Sequence, residues 1–262
     1  KRIAPDTIRT QARGGKGVIG LETKDEDSVS QLFTTNTHTD VMFFTSRGRV
    51  FRLKTYEIPQ GTRTSKGQAI VNFLQLAPGE KVTVTLPMDN LEGAKHLVMV
   101  TSGGTIKKSD LEDFENVRRS GLIAISLGDG DELTWVKPSS GKDDISLVSR
   151  DGQSIRFNED DVRSMGRTAA GVRGIKLKNA QDYVVGMDII NPVLADKGDL
   201  ELFTITENGL GKRTSLAEYK QQGRGGSGVR TAKVTDKTGG VVGAFVSHKD
   251  SESDLILISK KG

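Results

Sequence analysis

Cysteine is absent from the 262 residues of the chain, which excludes disulfides, thiolate metal ligands and cysteine nucleophiles. Aromatic side chains make up only 5% of the chain, and there are 6 prolines against 31 glycines. No stretch approaches the ~18 consecutive apolar residues that a membrane-spanning helix needs. Missing cysteine fits a reducing compartment, and abundant glycine indicates many tight turns. We therefore expect a cytoplasmic, all-β protein without a membrane segment.

Neither sign of charge dominates the chain. There are 38 basic and 34 acidic residues, and the net charge is +4. The distribution is more informative than the total, because the acidic residues gather in short patches while the basic residues lie elsewhere. These patches are KDED at 24–27, DLEDFE at 110–115, DGDE at 129–132, NEDD at 158–161 and KDSESD at 249–254.

A strand-like run that ends in a glycine turn recurs along the chain. The copies are VMFFTSRGRVFRL from Val41, LVMVTSGGTIKKS from Leu97, SLVSRDGQSIRF from Ser146, LFTITENGLGKRT from Leu202 and LILISKKG from Leu255. Their turn glycines are Gly48, Gly104, Gly152, Gly209 and Gly262, spaced by about 50 residues. Each copy reads as a β-hairpin in which glycine supplies a positive φ. This period predicts an array of four-stranded units that bury their faces against neighbours.

Cations keep a fixed register to the turn glycines. Four residues after the glycine, at the +4 position, stand Arg52, Lys108, Arg156 and Arg213. Fifteen residues after it, at the +15 position, stand Arg63, Arg119, Arg167 and Arg224, with Arg118 as the alternative in a shortened second copy. Arg13 occupies the +15 position of a first copy whose hairpin would lie before residue 1. This fixed register is expected if the units form an array in which the same face of each unit binds one common polyanion. The alternative is that these cations cap turns or pair with the acidic loops.

Other chemistry finds little support. GGKGV and GLGKRT both depart from the phosphate-binding loop signature. The histidines His38, His96 and His248 are scattered and lack metal-ligand spacing. We expect no metal site, no cofactor and no catalytic residue in this chain.

QARGGKG, from Gln11 to Gly17, resembles the box that marks the C-terminal domain of the bacterial DNA gyrase A subunit. The segments THTDVMFFTSRGRVFRLKTYEIP and NGLGKRTSLAEY resemble that family's blade sequences, and the similarity spans essentially the whole chain. Ala12 departs from the family pattern, which has arginine there, and this removes one cation from the box. QQGRGGSG at 221–228 resembles a decayed second copy of the box.

The resemblance implies one domain over 1–262, a six-bladed β-pinwheel whose first and last repeats are incomplete. Its basic rim is expected to wrap double-stranded DNA, and its partners would be the rest of the A subunit, together with the B subunit. Catalytic tyrosine, ATP and magnesium would act elsewhere in the holoenzyme, and the isolated domain would be a monomer. The expected DNA-binding residues are Gln11, Arg13, Gly14, Gly15, Lys16, Gly17, Arg49, Arg52, Arg63, Lys66, Lys108, Arg118, Arg119, Arg156, Arg167, Arg173, Lys176, Arg213, Arg224 and Arg230.

Three other interpretations stay open at this point. The C-terminal domain of topoisomerase IV shares the blades but typically has a degenerate box. A propeller scaffold could use the basic register to bind acidic proteins, and such a scaffold would not prefer long DNA. An enzyme with a site in a central channel would need converging polar residues on its inner strands, where this sequence has chiefly Val, Ile, Leu and Phe.

Overall fold

The computed structural model describes residues 1–4, 31, 33–62 and 65–250. These residues form antiparallel sheets, which we number as blades in chain order. Blade 1 has the strand order β3 (Val82–Pro87), β1 (Asp40–Thr45), β2 (Arg49–Lys54), β6 (Leu122–Ile123). Blade 2 has the order β7 (Leu133–Ser139), β4 (His96–Thr101), β5 (Thr105–Asp110), β10 (Val172–Arg173). Blade 3 has the order β11 (Val184–Ile190), β8 (Asp144–Ser149), β9 (Gln153–Asn158), β14 (Val229–Arg230). Blade 4 has the order β15 (Val241–His248), β12 (Leu200–Thr206), β13 (Gly211–Ser215).

Helix is scarce in the described part of the chain. The single α-helix there is α1 (Pro192–Asp196), which begins at the cap residue Asn191. A short 3₁₀ turn follows the second strand of each blade, at Thr55–Glu57, Leu111–Phe114, Glu159–Asp161 and Leu216–Glu218. No helix of the described residues is long and apolar enough to span a membrane.

The two-residue strands β6, β10 and β14 are exchanged between repeats. Each comes from the chain that follows the next hairpin, yet it pairs with the second strand of the preceding blade. Val50 faces Leu122 in blade 1, Ile106 faces Val172 in blade 2, and Ser154 faces Val229 in blade 3. We call these the exchanged strands. They lie at one edge of each sheet, whereas β3, β7, β11 and β15 form the opposite edge and pack against one another. In a disc of blades the exchanged strands therefore form the outer rim.

Hydrophobic cores fill the spaces between successive blades. Because side chains alternate along a strand, Met42 and Phe44 of β1 point toward blade 2, where they join Leu97 and Met99. On blade 2, Val98 and Val100 point the other way and join Ile145 and Leu147 of blade 3. A third cluster joins blades 3 and 4 in the same manner. Central strands buried on both faces explain the continuous apolar runs of the repeat.

The turn glycines accommodate the incoming exchanged segment. The carbonyl oxygen of Gly48 accepts hydrogen bonds from the N–H groups of Ala124 and Ile125, and Gly152 accepts from Thr231 and Ala232 in the same way. Both glycines have positive φ, and a Cβ atom on Gly48 or Gly152 would lie 2.4 or 2.3 Å from the carbonyl oxygen of the segment above. Only glycine lets the two backbones approach this closely.

The predicted all-β pinwheel is confirmed by this architecture. The described residues supply three four-stranded blades and one three-stranded blade. The count of six blades stays a prediction, since residues 5–30 and 251–262 lie outside the described residues.

Replacing Gly152 with alanine should destabilise the domain more than replacing Gly93. Both glycines have positive φ, so both variants carry the left-handed penalty of about 1–2 kcal/mol. Only Gly152→Ala adds an overlap with Ala232, whereas no described atom lies within 4 Å of a Cβ on Gly93. We expect Gly152→Ala to lose about 1–3 kcal/mol more in urea unfolding. Equal losses would contradict the packing role of the turn glycine.

Candidate nucleic-acid interface

Three of the four +4 cations contact an acidic residue near the beginning of the first strand of their blade. Arg52 pairs with Asp40, Arg156 with Asp144 and Arg213 with Glu201. Each pair is diagonal across the two strands of a hairpin, where long side chains can meet. In blade 2 the corresponding acidic position holds His96, and Lys108 instead donates to the carbonyl oxygen of Glu159 at 2.9 Å. The +4 register is thus an ion-pair register within the fold.

Burial separates these four cations into two kinds. Lys108 and Arg156 are only 5% and 4% exposed. Arg156 donates to Asp144 Oδ2 at 2.7 Å and to Asp196 Oδ1 at 2.9 Å, so its guanidinium is committed to the protein. Arg52 is half-buried and also donates to the carbonyl of Glu115 in the next repeat. Partial burial opposes ionisation of Asp40, but the hydrogen bonds from Arg52 and Lys54 hold its pKa below the ordinary value.

This geometry corrects the expectation that all +4 cations face a polyanion. A phosphate cannot reach Lys108 or Arg156 in this structure, because their charged groups lie inside the protein among their acceptors. We therefore leave Arg52, Lys108 and Arg156 out of the proposed DNA-contacting set. Arg213 is exposed, although Glu201 holds its Nε at 2.6 Å.

The +15 arginines form hydrogen bonds between consecutive repeats. Arg119 Nη2 donates to Glu57 Oε1 at 2.7 Å, and Arg167 Nη1 donates to the carbonyl oxygen of Asp113 at 2.9 Å. Arg224 Nε donates to the carbonyl oxygen of Asp161 at 2.8 Å. In each case the acceptor belongs to the 3₁₀ turn of the preceding repeat. Arg119 and Arg224 stay exposed, so their remaining N–H groups can reach a ligand.

The exchanged strands carry the cations that are most available. Arg173 and Arg230 end β10 and β14, and Lys176 follows three residues after Arg173. All three side chains are exposed, and within the described part of the chain none has a polar partner. Lys233, which the sequence did not lead us to expect, is exposed at the same distance after Arg230. Aligning the exchanged segments VRGIKL and VRTAKV would have revealed it.

Two clefts lie beside these cations. Arg173 and Lys176 border a cleft of about 590 Å³ that is also lined by the turn residues Gly103 and Gly104. Arg118 and Arg167 border a second cleft of about 400 Å³. Arg118 is exposed and its side chain lacks a polar partner among the described residues. Each cleft thus holds two cations together with acidic residues, Asp131 in the first and Glu112 and Asp113 in the second.

The other expected residues fall into three groups. Arg49 is half-buried between Glu80, 3.2 Å from its Nε, and the ring of Phe51. Lys66 is exposed. The box residues Gln11, Arg13, Gly14, Gly15, Lys16 and Gly17, together with Arg63, lie outside the described residues.

Lys107 is a buried cation that the sequence pattern did not single out. Its side chain is fully buried, and Nζ donates to the carbonyl oxygens of Ala124, at 2.6 Å, and Arg167. Burial lowers the pKa of Lys107 to about 8, with the charge of Asp113 acting in the opposite direction. Phe51 and Ile155 hold the equivalent place in blades 1 and 3. Lys107 thus links the exchanged segments of two neighbouring blades.

Successive antiparallel sheets that exchange an outer strand define a β-propeller of the pinwheel type, which here carries exposed cations on two of its exchanged strands. A family model described as DNA gyrase C-terminal domain, beta-propeller, matches residues 1–36, 39–86, 95–140, 143–191 and 200–248. The last four matched segments each contain the two hairpin strands and the inner strand of one blade. The chain belongs to this family.

Curated relatives agree with the family. The chain is 43% identical to the DNA gyrase A subunit of Ureaplasma parvum over 261 residues, covering 100% of the chain and 30% of that protein. It is 41% identical to the DNA gyrase A subunit of Staphylococcus epidermidis over 263 residues, covering 100% of the chain and 29% of that protein. The chain thus spans less than a third of the length of these relatives.

Solved structures share the fold. A DNA gyrase A C-terminal domain superposes with a TM-score of 0.73 at 26% identity, covering 95% of this chain and 80% of that one. The C-terminal domain of a DNA topoisomerase IV superposes with a TM-score of 0.74, also at 26% identity, covering 87% of this chain and 70% of that one. The fold alone therefore does not separate the two kinds of topoisomerase.

Replacing Arg156 with methionine should be far more damaging than the same change at Arg213. Arg156→Met leaves the buried carboxylate of Asp144 without its cation, and breaking such a pair costs about 3–5 kcal/mol. In the equivalent Arg213–Glu201 pair the arginine side chain is 49% exposed and water can solvate the remaining charge, so we expect a loss of about 1 kcal/mol. Urea unfolding of the two variants measures the difference. Similar losses in the free energy of unfolding would show that the buried Arg156–Asp144 pair stabilises the domain no more than the Arg213–Glu201 pair does.

Proposed function

We propose that this domain binds duplex DNA along its outer rim, as part of a DNA gyrase A subunit. The observation that carries the proposal is the repetition of Arg173 and Lys176 on blade 2 as Arg230 and Lys233 on blade 3. These side chains are exposed and lack acidic partners among the described residues, unlike the +4 cations. Repeated free cations on neighbouring strands match the repeated phosphates of a nucleic-acid backbone.

The proposed interactions are with phosphates and not with base edges. Arginine and lysine that neutralise phosphates release counterions, and this supplies most of the binding free energy. A regular row of blades can follow the DNA backbone, and each additional phosphate interaction then offsets part of the elastic cost of bending a stiff duplex. Sequence preference would come from the deformability of the DNA and not from direct readout.

In the holoenzyme this binding becomes wrapping. Wrapped DNA would fix the handedness of the crossing on which the other parts of the gyrase act, so that strand passage introduces negative supercoils. The strand-cleaving tyrosine, ATP and magnesium belong to those other parts, and DNA binding by this domain needs no cofactor. The place of action is the cytoplasm, at the nucleoid. Gyrase is favoured over topoisomerase IV by the QARGGKG box and by the match of the whole chain to gyrase A relatives.

Removing the exchanged-strand cations should weaken DNA binding and its salt dependence together. In the fourfold variant Arg173→Ala, Lys176→Ala, Arg230→Ala and Lys233→Ala, the slope of log K against log salt should become shallower by about 0.9 for each phosphate that is no longer neutralised. Binding to duplexes of ~100 base pairs is measured over a series of salt concentrations, since bending requires a duplex long enough to cross several blades.

A matched control removes the same charge from another surface. Lys95, Lys142, Lys197 and Lys220 are exposed and lie in loops outside the exchanged strands. Their fourfold replacement with alanine should leave the slope near that of the wild type. If both variants lose the same affinity and slope, only net charge matters and the rim is not the binding surface.

The box is expected to matter for wrapping more than for affinity. Arg13→Ala with Lys16→Ala removes two of many cations, so DNA affinity should fall little. The box is expected to bind the end of the bent duplex, where its phosphate interactions offset the elastic cost of the whole bend. Losing them should therefore reduce wrapping much more than it reduces affinity. The measurement is the change in plasmid linking number after nick sealing at matched DNA occupancy, with Arg119→Ala as a blade control. An unchanged linking-number shift in the box variant would reject this role.

A further inference from the structure

An acidic register accompanies the basic one. Nine residues after each turn glycine, at the +9 position, the 3₁₀ turns carry a carboxylate, namely Glu57, Asp113, Asp161 and Glu218. The +15 arginine of the following repeat reaches this +9 residue in three successive blade junctions. Each +15 arginine of these junctions therefore contacts a residue that carries a carboxylate, through either its backbone or its side chain.

The junction between Glu57 and Arg119 differs from the other two. Arg167 and Arg224 donate to the backbone carbonyl oxygens of Asp113 and Asp161, which carry no net charge. Arg119 instead donates to the carboxylate of Glu57 at 2.7 Å. The second carboxylate oxygen of Glu57 accepts the backbone N–H of Lys54 at 2.8 Å. This second hydrogen bond fixes the orientation of Glu57 toward the rim.

We propose that Glu57 competes with the DNA phosphate for Arg119 and so lowers the affinity of the rim for DNA at this junction. The proposal rests on the DNA-binding function proposed above. Glu57 accepts from Nη2 of Arg119, and a phosphate that binds a guanidinium through two parallel N–H bonds competes with a carboxylate for such donors. For DNA to use Arg119 fully, the phosphate must displace Glu57.

The exposure of the pair makes that displacement feasible. The side chain of Arg119 is 84% exposed and that of Glu57 is 27% exposed. Ion pairs at such positions are weak and are screened by salt. Arg118, the neighbouring exposed cation, has no acidic partner among the described residues and can hold the DNA nearby. The competition therefore tunes affinity and does not block binding.

Glu57→Gln tests the competition, with Glu218→Gln as its matched control. Glu218 has the same +9 position and loses the same charge, but no described arginine pairs with it. Glu57→Gln should bind a duplex that crosses several blades about twofold to fivefold more tightly than Glu218→Gln at low salt, the range expected for one exposed pair. Its slope of log K against log salt should also be steeper, because one more cation meets a phosphate.

The same comparison in an Arg119→Ala background isolates the interaction. There the advantage of Glu57→Gln over Glu218→Gln should disappear, since the competed cation is gone. A variant that had lost structure would bind less tightly, which is opposite to the expected direction. If the wild type binds DNA and the two glutamine variants bind equally, the competition is overturned while the proposed function stands. If the wild type does not bind DNA at all, the proposed function itself is overturned.

Discussion

The whole structure depends on one constraint, which is that a blade cannot complete its own outer edge. An unpaired outer strand would expose a row of N–H and C=O groups ready to pair with another chain. Here the segment after the next hairpin supplies the missing strand, and the turn glycine beneath it accepts two N–H groups from that segment. Blades 1, 2 and 3 are therefore each completed by a strand from the following repeat. The exchanged strands β10 and β14 also carry Arg173 and Arg230 to the rim, so the strand that completes the sheet positions the charge as well.

The cations of the repeat share a sequence register but not a role. Those at +4 lie on the second hairpin strand, and there they meet an acid on the first strand or a carbonyl of the next repeat. Those at +15 lie just before the exchanged strand and contact the preceding 3₁₀ turn. Those on the exchanged strand itself lie at the edge of the sheet, and their side chains are exposed without a polar partner among the described residues. Burial and the acceptors that the fold places nearby, and not position in the sequence alone, decide whether a cation stabilises the fold or is free to bind a ligand.

Much of the fold could be predicted from the sequence because its signals are local. Glycine turns, hairpin strands and their period follow from short segments such as VMFFTSRGRVFRL. The roles of the cations could not be predicted in the same way. The acid that pairs with Arg156 lies twelve residues earlier, and a second partner, Asp196, lies forty residues later in α1. Lys107 and Lys108 are adjacent and identical in type, yet they donate to carbonyls of different segments. Such choices depend on which segments the exchange brings together, and no local pattern records them.

Exposed cations are distributed unevenly along the resulting rim. The exchanged strand of blade 1 ends in Ile123, which is 50% exposed, where blades 2 and 3 have Arg173 and Arg230. Its following segment has Ser126 where they have Lys176 and Lys233. The exposed arginines that shortly precede this strand are Arg118 and Arg119, and Glu57 pairs with the second of these. If the domain bends DNA as proposed above, the duplex should be bent more firmly over blades 2 and 3 than over blade 1, because DNA bends only where phosphate interactions outweigh the elastic cost.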